Sequence, residues 1–266
     1  FIGGVLTNST AIMADAVHDL GDSLSIGLAW VLAKLGKKPA SSSFSYGYKR
    51  LSLLGSLING IVLIAGSGWV LYQSIPRLFN PEMPVTEGML ALSIFGIAVN
   101  GFAAFKLSKG ETLNEKVLNW HLLEDVLGWV AVFIVSVVLM FVEWPILDPI
   151  LAIGFTLFIL VNVVRNIGST LKLFLQGVPD QGIAKGIEEK LKSISEFKHF
   201  HHLHLWSLDG ESHVLTVHIE LAAYLSLEDQ RDLKHRLFEA LTEFELSHTT
   251  VEFELHNEPC RDESKA

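Results

Sequence analysis

Cysteine is almost absent from this chain. Its 266 residues include one, Cys260, which excludes an intrachain disulfide and any CxxC metal site. Histidine is as scarce over the first two thirds: only His18 and His121 precede residue 178, although the chain holds 11. There is no Gly-rich phosphate loop and no HExxH, so neither ATP drive nor the usual helix-borne zinc hydrolase chemistry is indicated. Surplus positive charge is missing too. Lys and Arg number 20 against 29 Asp and Glu. Residues 1–177 carry 11 of each sign and are neutral; the remainder carries 9 cations and 18 carboxylates, so the whole net charge of −9 lies in the tail. A tail of that kind repels nucleic acid and anionic lipid, which argues against both as its partners, and it is compatible with attracting cations.

What the chain does have is long apolar blocks. Half its residues are hydrophobic and its mean hydropathy is +0.39, which together indicate a polytopic membrane protein with a soluble tail. Five helices are predicted, over about 9–35, 48–79, 85–107, 114–142 and 149–175, each long enough for the roughly 20 residues that a bilayer core requires. Asn8 or Ser9 is the expected N-cap of the first, and Gly36-Lys37-Lys38-Pro39 its stop. The chain opens on Phe1 and a six-residue apolar stretch too short to span, so a further helix is expected upstream. Lys34, Lys37, Lys38, Lys49 and Arg50 flank the loop after the first helix, and Lys106, Lys109 and Lys116 the loop after the third. The alternate loops carry only Arg77 and, between 142 and 149, no cation. The basic loops are therefore cytoplasmic, and parity puts the tail on that side as well. Gly55, Gly60, Gly66 and Gly68 permit close helix approach. Asn59 and Asn100, at membrane depth, need hydrogen-bond partners and read first as structural glue, with support of a metal site as the second reading. Asp148-Pro149 reads as an ordinary cap on the last helix.

Both early histidines open the same motif. His18 precedes Asp22 and His121 precedes Asp125, and an i, i+4 pair points both side chains at one spot on a helix face. In a soluble helix HxxxD is most often a surface ion pair. At bilayer depth each ionisable group costs roughly 2.5–3.5 kcal/mol on insertion scales, so buried carboxylates imply a partner. Two such helices facing each other supply two nitrogens and two oxygens, a set that suits zinc in a tetrahedron better than magnesium or calcium. Asp15 lies about 60° from His18 on the helical wheel, where it could handle protons beside the metal or be purely structural.

Beyond residue 175 the pattern changes. Val178-Pro179-Asp180 breaks the helix and caps a new one over about 181–193. An alternating run over 202–208, a turn at Asp209-Gly210, a second run over 213–221, a helix over about 227–244 and a third run over 249–256 follow. The order αββαβ with one antiparallel hairpin describes a small α+β domain of ferredoxin-like type. Leu215, Val217 and Ile219 oppose Thr216, His218 and Glu220 in the second strand. In the third, Val251, Phe253 and Leu255 oppose Glu252, Glu254 and His256. Alternation divides the run His199 to His204 between two faces, so its four histidines cannot share one ion. They read first as solvated, with His202 or His204 joining a tail metal site as the second reading. His213, His235 and His248 read as surface residues.

The segment Asn8-Ser9-x-Ala11-Ile12-Met13-Ala14-Asp15-Ala16-x-His18-x-x-x-Asp22 resembles the signature of the cation diffusion facilitator family, its zinc-type bacterial exporters in particular. Tyr46-Gly47-Tyr48-Lys49-Arg50, Asn59, Asn100, Asn119-x-His121-x-x-x-Asp125, Asp148-Pro149 and His204-Leu205-Trp206-Ser207-Leu208 fit the same family. The resemblance spans nearly the whole chain. It implies a six-helix membrane domain, whose first helix is here cut to its last residues, followed by a cytoplasmic ferredoxin-like domain. It also implies a homodimer in the bilayer, in a bacterial inner membrane, that exchanges divalent metal for protons. Transferred by position, the transport site is His18, Asp22, His121 and Asp125, with His at the head of both motifs suggesting a zinc preference. His218, His256 and Glu258 resemble cytoplasmic metal ligands of some members. The loop 37–46 has no His or Asp, so the extra loop site of some members is expected to be absent, and Ser52 stands where Glu is common. The expected division is a transport domain over 1–177, a cytoplasmic domain over 178–258 and a tail over 259–266.

Zinc binding requires neutral imidazole and ionised carboxylate, so the same four groups can take either metal or protons. That chemistry predicts zinc efflux by antiport, with cadmium or cobalt as possible cargo and no organic cofactor. The rivals are an intramembrane zinc enzyme, disfavoured because two His and two Asp close the tetrahedron, and a non-transporting metal sensor.

Overall fold

The computed structural model describes residues 1–108, 113–256 and 258–262, apart from the side chains of residues 29, 33 and 113–118. Lys109, the side chain of Lys116 and residues 263–266 of the expected tail lie outside the described residues. The chain forms two compact units, one of residues 1–27 with 58–166 and the other of residues 28–57 with 167–266.

Among the described residues six helices make up the apolar portion: α1 (Ile2–Thr7), α2 (Thr10–Gly36), α3 (Leu51–Phe79), α4 (Thr86–Leu107), α5 (Leu113–Phe141) and α6 (Leu147–Phe174). Among the described residues α3, α4, residues 119–141 of α5, and α6 are long and apolar enough to cross a membrane. Only 22–33% of each such window is buried inside the protein, so most of its apolar surface faces outward, as lipid requires. The 27-residue α2 has the length, but Asp15, Asp19 and Asp22 interrupt its apolar character.

In the first unit, α2 starts where the sequence places it. Ser9 caps it, its hydroxyl accepting from Ile12 N at 3.2 Å. Close approach of α3 relies on a missing side chain: a Cβ on Gly66 would stand 2.5 Å from Val17. Gly68, by contrast, faces open space. Ala11, Ile12, Ala14, Val70, Met89, Val132, Leu139 and Ala152 form the buried core, and α4 packs along α5. The hydrogen-bond partner expected for Asn59 is not found among the described residues: its Oδ1 is buried and unpartnered.

The second unit holds α7 (Gln181–Ser193), β1 (Phe197–Ser207), β2 (His213–Leu221), α8 (Leu227–Leu241), a single 3₁₀ turn at Thr242–Phe244, and β3 (Leu246–Glu254). Asp180 caps α7 by accepting from Gly182 N and Ile183 N, and Ser226 with Asp229 forms a capping box on α8. The sheet order is β1-β2-β3. β1 and β2 are antiparallel, while β3, returning through α8, lies parallel to β2, the αββαβ arrangement expected of a ferredoxin-like domain. Leu215, Val217 and Ile219 are fully buried with Ile187, Leu191 and Leu237 of the covering helices, and Thr216, His218 and Glu220 are half-buried on the other face.

Candidate metal centres

The two HxxxD motifs converge. His18 and Asp22 of α2 meet His121 and Asp125 of α5, one ligand atom from each lying within 4.8 Å of the others. His121 Nε2 stands 2.9 Å from Asp22 Oδ2 across 99 residues of sequence. His18 Nε2 is 3.6 Å from Asp22 Oδ2 and 3.7 Å from Asp125 Oδ1, and His121 Nε2 is 4.0 Å from Asp125 Oδ2. Zinc bonds of about 2.0–2.2 Å place neighbouring donors of a tetrahedron roughly 3.3–3.6 Å apart, so these edges bracket that figure. The rings of His18 and His121 stand edge to face, 5.6 Å between centroids. Asp125 is 6% exposed and its Oδ1 has no hydrogen-bond donor among the described residues. A buried carboxylate oxygen left so is costly unless a cation or a proton occupies it.

Asp15, one turn before His18, is 4% exposed and its Oδ2 is also unpartnered. It faces Gly128 of α5, where a Cβ would come within 3.7 Å of Asp15 Oδ1 and 3.3 Å of Phe155. Phe155 in turn packs its ring 6.0 Å from that of His18.

Asp148 has a different task from the one its sequence context suggests. Rather than capping its own helix, it caps α2: its carboxylate accepts from Thr10 N at 2.7 Å, Ala11 N at 3.3 Å, Ser9 Oγ at 2.6 Å and Thr10 Oγ1 at 2.7 Å. A carboxylate on the free N–H groups of a helix start is favoured by the helix dipole, and here it fixes the helix that carries His18 and Asp22.

In the second unit the structure gathers His201, His218, Glu254 and Cys260, again with ligand atoms within 4.8 Å. Glu254 Oε1 lies 3.0 Å from His218 Nδ1 and 3.1 Å from His201 Nε2, and Cys260 Sγ lies 3.5 Å from His218 Nδ1. Burial opposes ionisation of Glu254, but hydrogen bonds from Cys260 and His218 and the charge of His201 outweigh it and hold the carboxyl below its ordinary range. Burial and the adjacent Glu254 push the Cys260 thiol up. Two nitrogens, a carboxylate and a sulfur form a set that suits zinc or cadmium.

Only His218 of the three expected tail ligands belongs to this cluster. His256 packs its ring 5.8 Å from Tyr224, and Glu258 accepts from Leu255 N at 2.8 Å. The run His199 to His204 also departs from simple alternation. His202 has a positive φ of 47° and the β1-β2 register shifts between His201 and His204. This bulge turns His201, rather than His202 or His204, onto Glu254. His213 is buried rather than on the surface, at 5% exposure. Glu254 was signalled by its place on the polar face of the last strand. No local pattern marked His201 or Cys260.

Two family models match the chain. One, described as cation efflux transmembrane domain, covers residues 1–175, and the other, described as cation efflux protein, cytoplasmic domain, covers residues 179–256. The chain is 30% identical over 262 residues to a cadmium, cobalt and zinc/H(+)-K(+) antiporter of Bacillus subtilis, an alignment covering 96% of this chain and 84% of that protein. It is 30% identical over 263 residues to the metal cation efflux system protein CzcD of Cupriavidus metallidurans, covering 97% and 82%. To the zinc transporter ZitB of Pectobacterium atrosepticum it is 27% identical over 258 residues, covering 95% and 79%.

Proposed function

Because this chain belongs to the cation efflux, or cation diffusion facilitator, family, we propose that it exports zinc from the cytoplasm in exchange for protons, with cadmium and cobalt as further cargo. The family is one of transporters, which leaves the intramembrane enzyme without support. The observation that carries the reading is the convergence of two nitrogens and two carboxylates from α2 and α5 within 4.8 Å.

On this reading His18, Asp22, His121 and Asp125 are the transport site. Zinc binds when both imidazoles are neutral and both carboxylates ionised. Protonation on the more acidic side removes donors and releases the ion. Opening of the site alternates between the two sides by rocking of the helices around it. The protein sits in a bacterial inner membrane with residues 178–258 in the cytoplasm, residues 1–177 as the transport domain and 259–266 as a tail. The cytoplasmic domain pairs two copies into a homodimer, and the cluster at His218 takes a second, regulatory metal with His201, Glu254 and Cys260.

Zinc uptake into proteoliposomes under an imposed pH gradient tests the transport reading. Flux should require the gradient and fall at least about a hundredfold in Asp125→Ala, comparable with losses on deleting a metal ligand or its support. Undiminished flux in that variant sinks the site assignment, and zinc binding without flux in the wild type leaves a sensor instead.

A further inference from the structure

Between Asp22 and Glu82 the chain contains no carboxylate but six cations, Lys34, Lys37, Lys38, Lys49, Arg50 and Arg77. In a chain with nine more carboxylates than cations, whose acidic tail as a whole repels anions, this is the longest stretch without a carboxylate. Lys190, Lys192, Lys198, Arg236 and Arg261 of the tail each hold a carboxylate. Among the described residues Lys37, Lys38, Lys49 and Arg50 hold none.

Three of these amines meet at a cavity. It measures about 730 Å³ and lies within the second unit, between the loop joining α2 to α3 and the β1-β2 turn of the tail domain, lined by Lys37, Lys38, Lys49, Tyr46 and His248. Lys49 Nζ donates to Ser212 Oγ at 2.9 Å, the ring of Tyr46 stands edge to face with His248 at 5.0 Å, and Lys38 lies over Tyr48. Asp209 and Glu211 also border the cavity. Asp209 is committed to its own turn, accepting from Glu211 N, Ser212 N and Ser212 Oγ. The lining is therefore a group of three ammonium donors beside aromatic rings, against the one carboxylate of Glu211 that the turn does not engage, with space for a ligand of headgroup size.

The level of the cavity indicates which anion meets it. The loop leaves the C-terminal end of α2, placed on the cytoplasmic side by its basic flanks, where Trp30 is 69% exposed with Lys34 over its ring at 5.7 Å. Exposed Trp beside Lys at a helix end marks the headgroup zone. There the abundant anions are phosphodiesters, and basic pockets at the cytoplasmic ends of membrane helices bind them.

We propose that the cavity bounded by Lys37, Lys38 and Lys49 binds a phosphate group, supplied by the headgroup of an anionic phospholipid of the cytoplasmic leaflet. Ammonium groups act on phosphate as point charges with three donors each, and Tyr46 and His248 add polar contacts at the rim. The site is separate from both metal clusters and does not depend on the transport reading.

The test is native mass spectrometry of the full chain in detergent, titrated separately with phosphatidylglycerol, phosphatidylcholine and inorganic phosphate. The wild type should retain phosphatidylglycerol in preference to phosphatidylcholine. The triple variant K37Q/K38Q/K49Q should lose about a hundredfold in affinity, roughly fivefold for each lysine. A control, K185Q/K190Q/K192Q, makes the same charge change elsewhere and should bind as the wild type does. Saturation by inorganic phosphate alone, lost in the same triple variant, supports the phosphate site with a free anion as its source. Equal retention of the two lipids, unchanged affinity in K37Q/K38Q/K49Q, or equal loss in both triples overturns the proposal. If the triple variant fails to fold, Lys38→Gln and Lys49→Gln taken singly must each show about a fivefold loss, and unchanged binding in both rejects the site.

Discussion

Asp148 Oδ2 accepts from the backbone nitrogen of Thr10 at 2.7 Å, joining positions 138 apart in sequence about two helical turns ahead of His18. With the further bonds from Ser9 and Ala11, this carboxylate holds the start of α2. Removing a buried charged acceptor forfeits its hydrogen bonds and strands their donors. Asp148→Ala should cost about 2–4 kcal/mol, read as a lower unfolding temperature in detergent, and should weaken zinc binding without altering any ligand. A variant with wild-type stability and affinity would show that α2 is fixed by other contacts.

The ligand set makes a prediction about selectivity. Imidazole favours zinc, whereas a carboxylate-rich site accepts manganese more readily. His121→Asp should therefore narrow the preference for zinc over manganese by about tenfold or more, measured as competing uptake in proteoliposomes. Unchanged discrimination would mean that His121 does not contact the cargo.

Packing of α4 on α5 can be tested at Gly96. A Cβ there would stand 2.2 Å from the ring of Trp129, one turn beyond Asp125, so the ring or the helix must move. Gly96→Ala should destabilise by about 1–3 kcal/mol, the usual range for overpacking. The same thermal melt checks it, and a neutral result would show that Trp129 has another rotamer available.

In the tail, Cys260→Ser and His201→Ala should each reduce zinc binding at the cytoplasmic site by about 10–100-fold, while His256→Ala should leave it unchanged. Isothermal titration of a variant already lacking Asp125 isolates this site from the other. Loss on His256→Ala with none on Cys260→Ser would restore the ligand set expected from the sequence.

Glu254 also sets a pH dependence in the metal-free protein. Its carboxyl is held below its ordinary 4.5 in the fold, so the stability it contributes is complete above that value and is lost as pH falls through the lower folded value. The gap in unfolding temperature between wild type and Glu254→Gln should be largest near pH 6–7 and shrink between roughly pH 5 and pH 3, measured with chelator present. A gap that does not shrink on acidification contradicts the assignment.

The sequence by itself determined what short range encodes. Apolar blocks gave five long helices with ends close to those found, the i, i+4 spacing paired His18 with Asp22 and His121 with Asp125, and period-two alternation sorted β2 into buried and polar faces. Only the tertiary structure decided what meets across long separations. Asp22 lies 2.9 Å from His121 across 99 residues, and α3 closes on α2 where a Cβ on Gly66 would stand 2.5 Å from Val17. Asp148 serves a helix that begins far from it in sequence. The bulge at His202 slips the alternation of β1, turning His201 onto Glu254, and the chain end after β3 brings Cys260 to the same place. Helical and strand periods fix the direction of a side chain relative to its own backbone. Register shifts, close approaches and returning chain ends depend on free energies summed over residues distant in sequence, which no local pattern expresses.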